Sequence, residues 1–265
     1  MIRIGTSGYS YDDWRGRFYP EKLRREQFLE YYSHHFPALE LNFTHYRPPD
    51  ARTLSRMLDR SGGRVEFVVK APRELTHERT SPHGLAAGLV EAVKPLEEAL
   101  RFAAFLCQFP YSFRPDARAI DRLARLRSLL GGRPTVVEFR NSEWICKDTF
   151  ALLRREGLAF CAVDEPRLRN LIPPLGVVTA PPGYVRFHGR NATAWWNHAP
   201  EAHGAARYDY RYDDAELREW LPLLRQMDGT IDKTFAFFNN HTAANAVTGA
   251  KRLGELLSEG VEVGG

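Results

Sequence analysis

The 265-residue chain balances 37 Lys and Arg against 33 Asp and Glu, for a net charge of +4 and a pI near 9.0. Its 43% hydrophobic content is enough for the core of one large α/β domain. The charge permits a phosphate-bearing partner without demanding one. No apolar run approaches the roughly 18 residues of a membrane span, and Ile2 and Ile4 already read as a strand rather than a signal peptide. Cys107, Cys146 and Cys161 have no metal-ligand spacing and cannot all pair, so they are expected to be the reduced thiols of a cytoplasmic protein. Of the basic residues 31 are Arg and six are Lys. Arg suits bidentate phosphate contacts, although most of this bias reads as composition.

Strand-like and helix-like runs alternate from end to end. Strands are predicted at residues 2–6, 38–43, 65–70, 102–108, 135–139, 159–163, 183–188 and 234–238. Between them Phe28, Tyr31, Tyr32 and Phe36 repeat at helical spacing. So do Leu54, Met57 and Leu58 after an Asp50 cap, and then Ile120, Leu123, Leu126 and Leu130. Leu217, Trp220, Leu221 and Leu224 follow an Asp213 cap, where Pro222 should kink the helix or delay its start. Val247, Leu253 and Leu257 mark a last helix, and Val261 to Gly265 should fray. Eight strands with intervening helices predict a single TIM-like (β/α)8 barrel over 1–265, with an open doubly wound sheet as the alternative. Five prolines within 164–182 predict a loop in place of one outer helix.

An ordered set of segments carries a resemblance: GTSGYSYDDWRGRFYP, LELNFTHYRPP, FVVKAPRELTH, FLCQFPYSF, VVEFRNSEW, AVDEP, YVRFHGR and FNNHTAANA. Across nearly its whole length the chain resembles the YecE-like family, domain of unknown function 72. The resemblance implies a TIM-like barrel and leaves the chemistry open. One departure stands out. FNNHTAANA lacks a Gly that many relatives carry a few residues after FNNH.

The chemistry is read from strand ends, where barrels of this class place their sites. In ALELN, Leu39 and Leu41 alternate with Glu40 and Asn42, so a carboxylate and an amide project from one face. A buried carboxylate is costly without a partner. It is either a general base or ligand, or the partner of an inward Arg. Lys70 ends the third strand, with Thr76 and His77 following. Lys70 could hold a phosphate or act as a base, and His77 could carry a proton. Gln108 ends the fourth strand. Glu138 and Arg140 end the fifth with shared parity and could satisfy each other or serve as base and anion fork. Asp164 ends the sixth, Arg186 and His188 the seventh (followed by Arg190), and Asn239, Asn240 and His241 the eighth. Thr6-Ser7-Gly8-Tyr9 reads equally as a turn or an anion nest. Trp195, Trp196, Tyr208, Tyr210 and Tyr212 could stack on bases or sugars, or pack beneath a long loop.

These residues point to a cytoplasmic enzyme acting on a phosphate-bearing substrate, a nucleotide or nucleic acid. Glu40, Glu138, His188 and His77 are the candidate catalytic groups. Asn42, Lys70, Gln108, Arg140, Asp164, Arg186, Arg190, Asn239 and Asn240 are the candidate binding groups. A metal-dependent nuclease or DNA-repair hydrolase is one alternative. Two His, two Glu and one Asp at strand ends could hold a divalent cation, but interleaved Arg and Lys would repel it, so no cofactor is expected. A non-catalytic protein that binds an anionic ligand or nucleic acid is the other alternative.

Overall fold

A computed structural model describes residues 1–78, 83–196 and 205–259. Eight parallel strands close a barrel in chain order: β1 (Ile2–Ser7), β2 (Ala38–Leu41), β3 (Glu66–Lys70), β4 (Phe102–Gln108), β5 (Thr135–Glu138), β6 (Ala159–Asp164), β7 (Gly183–Phe187) and β8 (Thr234–Phe238). The last strand pairs with the first, Ile4 opposite Ala236, so the sheet has no open edge and the doubly wound alternative falls away. At the β1–β2 seam, a Cβ on Gly5 would sit 2.1 Å from the Ala38 carbonyl oxygen, so only glycine allows that approach.

The helices are α1 (Phe28–Ser33), α2 (Ala51–Arg60), α3 (Arg73–Thr76), α4 (His83–Ala92), α5 (Lys94–Glu98), α6 (Ala117–Leu129), α7 (Lys147–Glu156), α8 (Ala205–Tyr208), α9 (Asp214–Thr230) and α10 (Asn245–Glu259). The Asp50 carboxylate accepts from the Thr53 N–H and so caps α2. Asp213 and Glu216 form a reciprocal capping box at the start of α9. Pro222 does not delay α9. The helix begins at Asp214 and passes through the proline, held by a buried face of Leu217, Trp220, Leu221, Leu224 and Met227. That face outweighs the one backbone hydrogen bond that proline removes. Ile120 is exposed on α6, and the buried face there is Ala119, Leu123 and Leu126.

No helix spans β6 to β7, as the prolines of 164–182 require. The expectation for Val261 to Gly265 lies outside the described residues. Within FNNHTAANA, Ala243 and Ala244 adopt φ of +53° and +63°, in the left-handed region.

Side chains alternate along the strands, with one register irregularity where β3 pairs with β4 between Phe67 and Val68. Val68 and Lys70, Glu138 and Arg140, Tyr184, Arg186 and His188, and Phe237 and Asn239 point into the barrel. Phe187 and Phe238 point outward and stack at 4.4 Å beneath Trp220 and Tyr212. The barrel interior is apolar at mid-height, where the Tyr184 and Phe237 rings lie 5.4 Å apart, and charged at its carboxyl end.

Candidate functional site

The strand-end layer is built from the inward parity of seven strands. Arg186 is its hub and is 1% exposed. Its Nε and Nη2 donate to Glu40 Oε2 and Oε1 at 2.9 and 2.6 Å, and its Nη1 donates to Glu138 Oε2 at 2.6 Å. Nη2 also lies 3.5 Å from Ser7 Oγ. Tyr184 donates its hydroxyl to Glu40 Oε2 at 2.7 Å. Burial raises the cost of the Glu138 carboxylate, and Arg140 and Arg186, with His188, reverse this and hold its pKa well below the usual range. Each of the three guanidinium nitrogens of Arg186 already donates to a protein oxygen. It braces the site instead of receiving a ligand.

A directed chain of neutral groups runs alongside. Asn42 Nδ2 donates to Asn239 Oδ1 at 3.3 Å, Asn239 Nδ2 lies 3.1 Å from His188 Nδ1, and His188 Nε2 lies 3.2 Å from Glu138 Oε1. With the amide donating to Nδ1, the imidazole proton sits on Nε2 and points at Glu138. Burial, and Arg140 beside it, push the His188 pKa well below its ordinary value, so the ring is neutral.

Two groups stand apart from this saturated core. Lys70 Nζ has one partner, the Gln108 Oε1 at 2.9 Å, and no carboxylate within ion-pair reach among the described residues. Burial, then the charge of Arg186, brings its pKa down to about 7. On the far side of Arg140 lies Glu165, wholly buried. Its Oε1 accepts the Ile172 N–H at 2.7 Å, and its Oε2 lies 3.6 Å from Arg140 Nη1 without a hydrogen bond. Burial pushes that carboxyl up to about 7 against the pull of Arg140. Arg140 itself meets Glu138 Oε1 through Nε at 2.6 Å and lies beneath the buried Trp195 ring, 5.9 Å from its centroid. Trp195 therefore covers the Arg140 side. Half-buried Gln108, His45 and His77 leave the Lys70 side more open.

Glu40, Asn42, Lys70, Gln108, Glu138, Arg140, Arg186, His188 and Asn239 thus gather in one layer. His77 stands at its edge, its ring 5.3 Å from that of His45 and its Nδ1 2.8 Å from Thr76 Oγ1. Burial and Lys70 lower the pKa of both imidazoles to about 4.

Asp164, Arg190 and Asn240 are placed elsewhere: Asp164 and Asn240 have outward parity, and Arg190 shares the inward parity of Arg186 and His188 but follows Gly189, whose φ of +91° ends the extended run. Asp164 accepts from Arg190 Nη2 at 2.7 Å, Tyr212 Oη at 2.8 Å and Trp220 Nε1 at 2.6 Å, between barrel and α9. Arg190 continues to Glu219 at 2.9 Å, and Asn240 donates to the Tyr210 carbonyl at 2.8 Å. These three fasten the α9 side of the barrel rather than face the site. Thr6 and Ser7 end β1, and the Gly8 N–H continues the ladder to the Glu40 carbonyl at 2.8 Å, so it is not free for an anion.

Sequence reasoning missed Glu165, Tyr184 and His45. The first two were accessible by parity. Glu165 lies two and four residues beyond inward Val163 and Cys161, and Tyr184 lies two before Arg186. His45 sits in a 3-10 turn after β2, where no periodicity marks it.

Among the described residues no three His, Cys, Asp or Glu side chains gather as a metal-ligand set, and no helix is long and apolar enough to cross a membrane. Two open depressions of about 550 and 390 Å3, one beside Arg127 and Arg155, the other beside Pro49 and Gly88, lie on the outer surface away from the strand ends. None of their ionisable residues is buried, so the strand-end layer remains the candidate site.

Fold and site together define an α/β-barrel protein with a buried charge network at the carboxyl ends of its strands. The family described as "Protein of unknown function DUF72" matches residues 3–263, and the chain belongs to it. It is 29% identical to the UPF0759 protein YunF of Bacillus subtilis, over 97% of this chain and 95% of that one. A crystal structure of a DUF72 family protein from Thermotoga maritima superposes with a TM-score of 0.88 at 34% identity, covering 97% of this chain and 99% of that one. A DUF72 family protein from Enterococcus faecalis gives 0.84 at 23% identity, over 97% and 96%.

Proposed function

We propose that the protein is an acid–base enzyme acting on a small phosphate-bearing substrate at the carboxyl end of its barrel. One observation carries this reading. Within a core of Arg–Glu pairs, Lys70 has only the Gln108 amide oxygen as partner and Glu165 keeps an oxygen without a hydrogen bond, and burial shifts both groups towards neutrality. Acid–base catalysis works best with groups tuned to the working pH, and opposed shifts of a Lys and a carboxyl are how a buried site reaches that condition.

The roles follow from the contacts. Lys70 and Arg140 receive the anion. Arg140 Nη2 has no hydrogen-bond partner among the described residues, and Lys70 Nζ keeps N–H donors beyond the one given to Gln108. Lys70 and Glu165 exchange protons with the substrate. Glu40, Glu138, Arg186 and the His188–Asn239–Asn42 chain hold these groups in place. A nucleotide suits the rim, where the exposed rings of Tyr46 and Trp196 offer stacking surfaces.

The test is thermal unfolding with phosphate against chloride at equal ionic strength, in the wild type and in the Lys70→Met, Arg140→Gln double variant. General salting-out acts on both proteins alike. A phosphate-specific rise confined to the wild type supports the reading, and an equal rise in both refutes it.

A further inference from the structure

We propose that Lys70 is the covalent nucleophile of this site, forming an imine with an aldehyde or ketone group of the substrate. The proposal deepens the acid–base reading of the same site and rests on it.

The geometry singles out this lysine. It ends β3 with its side chain inside the barrel and is 9% exposed. Its ammonium position is held by a neutral amide oxygen, Gln108 Oε1 at 2.9 Å; of its charged neighbours Arg186 and Arg140 disfavour the ammonium and Glu138 and Glu40, which those arginines pair, favour it, with burial the largest effect. The two buried arginines of the layer each face a carboxylate at 2.6 Å, and Lys70 faces none within ion-pair reach among the described residues. Other lysines sit differently: Lys94 pairs with Glu91 at the surface and Lys233 pairs with Glu66 beyond the opposite end of the barrel. A lysine needed only as a phosphate clamp gains by staying charged. One flanked by two guanidinium groups and aligned by an amide is arranged to lose its proton and expose a lone pair. Lys70 also lies on the side of the layer that Trp195 does not cover, where a substrate arrives first.

The step balances. The Nζ lone pair attacks the carbonyl carbon and a C–N bond forms. The carbonyl oxygen takes up two protons in succession and leaves as water. Nζ loses both hydrogens of the free amine, leaving the imine, and gains one proton to become the iminium. No oxidant or reductant takes part. The iminium then draws electrons from an adjacent C–H or C–C bond. Glu165, beyond Arg140, is the buried carboxyl left with an oxygen free of hydrogen bonds. In this proposal it takes up the released proton.

The experiment is reductive trapping. The wild-type protein is incubated with glycolaldehyde phosphate or glycolaldehyde and borohydride at pH 7, digested, and mapped by mass spectrometry. At that pH about half of an amine titrating near 7 is free, against roughly one part in 2,500 of an unperturbed lysine. Labelling of Lys70 is therefore expected to exceed that of Lys22, Lys94, Lys147, Lys233 and Lys251 by tenfold or more, with the phosphorylated aldehyde reacting faster. The pH profile of labelling should have its midpoint near neutrality, set by the groups that face Lys70: Glu40, Glu138, Arg140, Arg186, His45 and His77. Lys70→Arg keeps the charge and should abolish the label. The wild-type profile alone decides the matter if that variant fails to fold. Labelling at Lys70 no faster than at the surface lysines overturns the proposal. If sulfate binding still takes up protons at Lys70 in that case, the imine falls and the acid–base reading stands; if neither is seen, both fall.

Discussion

Arg186 reaches across the barrel from β7 to grip both oxygens of Glu40 on β2, at 2.9 and 2.6 Å, while its third nitrogen holds Glu138 on β5 at 2.6 Å. One side chain thereby ties three strands that are not neighbours in the sheet. It also explains how two carboxylates are tolerated in a layer with almost no solvent.

Removing the hub leaves two buried carboxylates without their main partner. Arg186→Met should destabilise the fold by about 3–5 kcal/mol, the range seen when one partner of a buried ion pair is deleted. Tyr184→Phe, which removes one hydrogen bond to Glu40, should cost about 1–2 kcal/mol. Urea unfolding at pH 7 measures both. A loss below about 1 kcal/mol for Arg186→Met would show that the clamp is not the partner these carboxylates depend on.

Lys70 and Glu165 should imprint opposite slopes on stability against pH. The folded Glu165 pKa is raised from 4.5 to about 7, so its contribution is full below 4.5 and is lost as pH rises to about 7. The folded Lys70 pKa is lowered from 10.5 to about 7, so its penalty is full below about 7 and is relieved as pH rises towards 10.5. Together they place a minimum near neutrality. In difference curves from chemical unfolding, wild type minus Lys70→Met should climb above pH 7 and be flat below it. Wild type minus Glu165→Gln should fall between pH 4.5 and 7. Slopes of the reverse sign would contradict the assigned shifts.

The His188 ring should remain neutral with its proton on Nε2, since burial and Arg140 disfavour its charged form and the Asn239 amide occupies Nδ1. Two-bond 1H–15N spectra of the imidazole should show that tautomer unchanged through the ordinary histidine range. A midpoint near 6.5 would place the ring outside the buried chain described above.

Ala243 and Ala244 hold left-handed φ values of +53° and +63°, which cost an L-residue about 1–2 kcal/mol each. Ala243 is fixed there by its N–H on Asp13 and its carbonyl on Arg17 Nη1, at 2.7 and 3.2 Å. Ala243→Gly removes the Cβ clash and adds unfolded-state entropy, for a net gain of about 0.5–1 kcal/mol. Calorimetry should show Tm rising by about 1–3 °C. A fall in Tm would show that this turn does not need glycine's freedom.

The strands were legible because each is a short apolar run bounded by turn residues, and all eight predicted ranges overlap the observed ones within two residues at either end. The helix α4 was not, since Gly84, Ala86, Ala87 and Gly88 give its sequence little amphipathic contrast. Parity decided how much of the site could be read. It correctly set Glu40, Lys70, Glu138, Arg140, Arg186 and His188 inward. Asp164 and Asn240 have outward parity, and Arg190 has inward parity but lies past the turn at Gly189; all three face α9 or its loop. The pairing of the cations was not legible either. Arg186 meets Glu40 across 146 residues of chain, a distance that no local pattern spans.

The most direct test is calorimetric titration of sulfate, an anion with no proton to exchange near neutrality, in buffers of different ionisation enthalpy. An anion beside Lys70 favours its ammonium form, so binding at pH 8 should take up protons, uptake should shrink at pH 6 where the group is already charged, and Lys70→Met should lose most of it. Absence of sulfate binding, or binding whose proton uptake is nil or unchanged in Lys70→Met, would contradict the account.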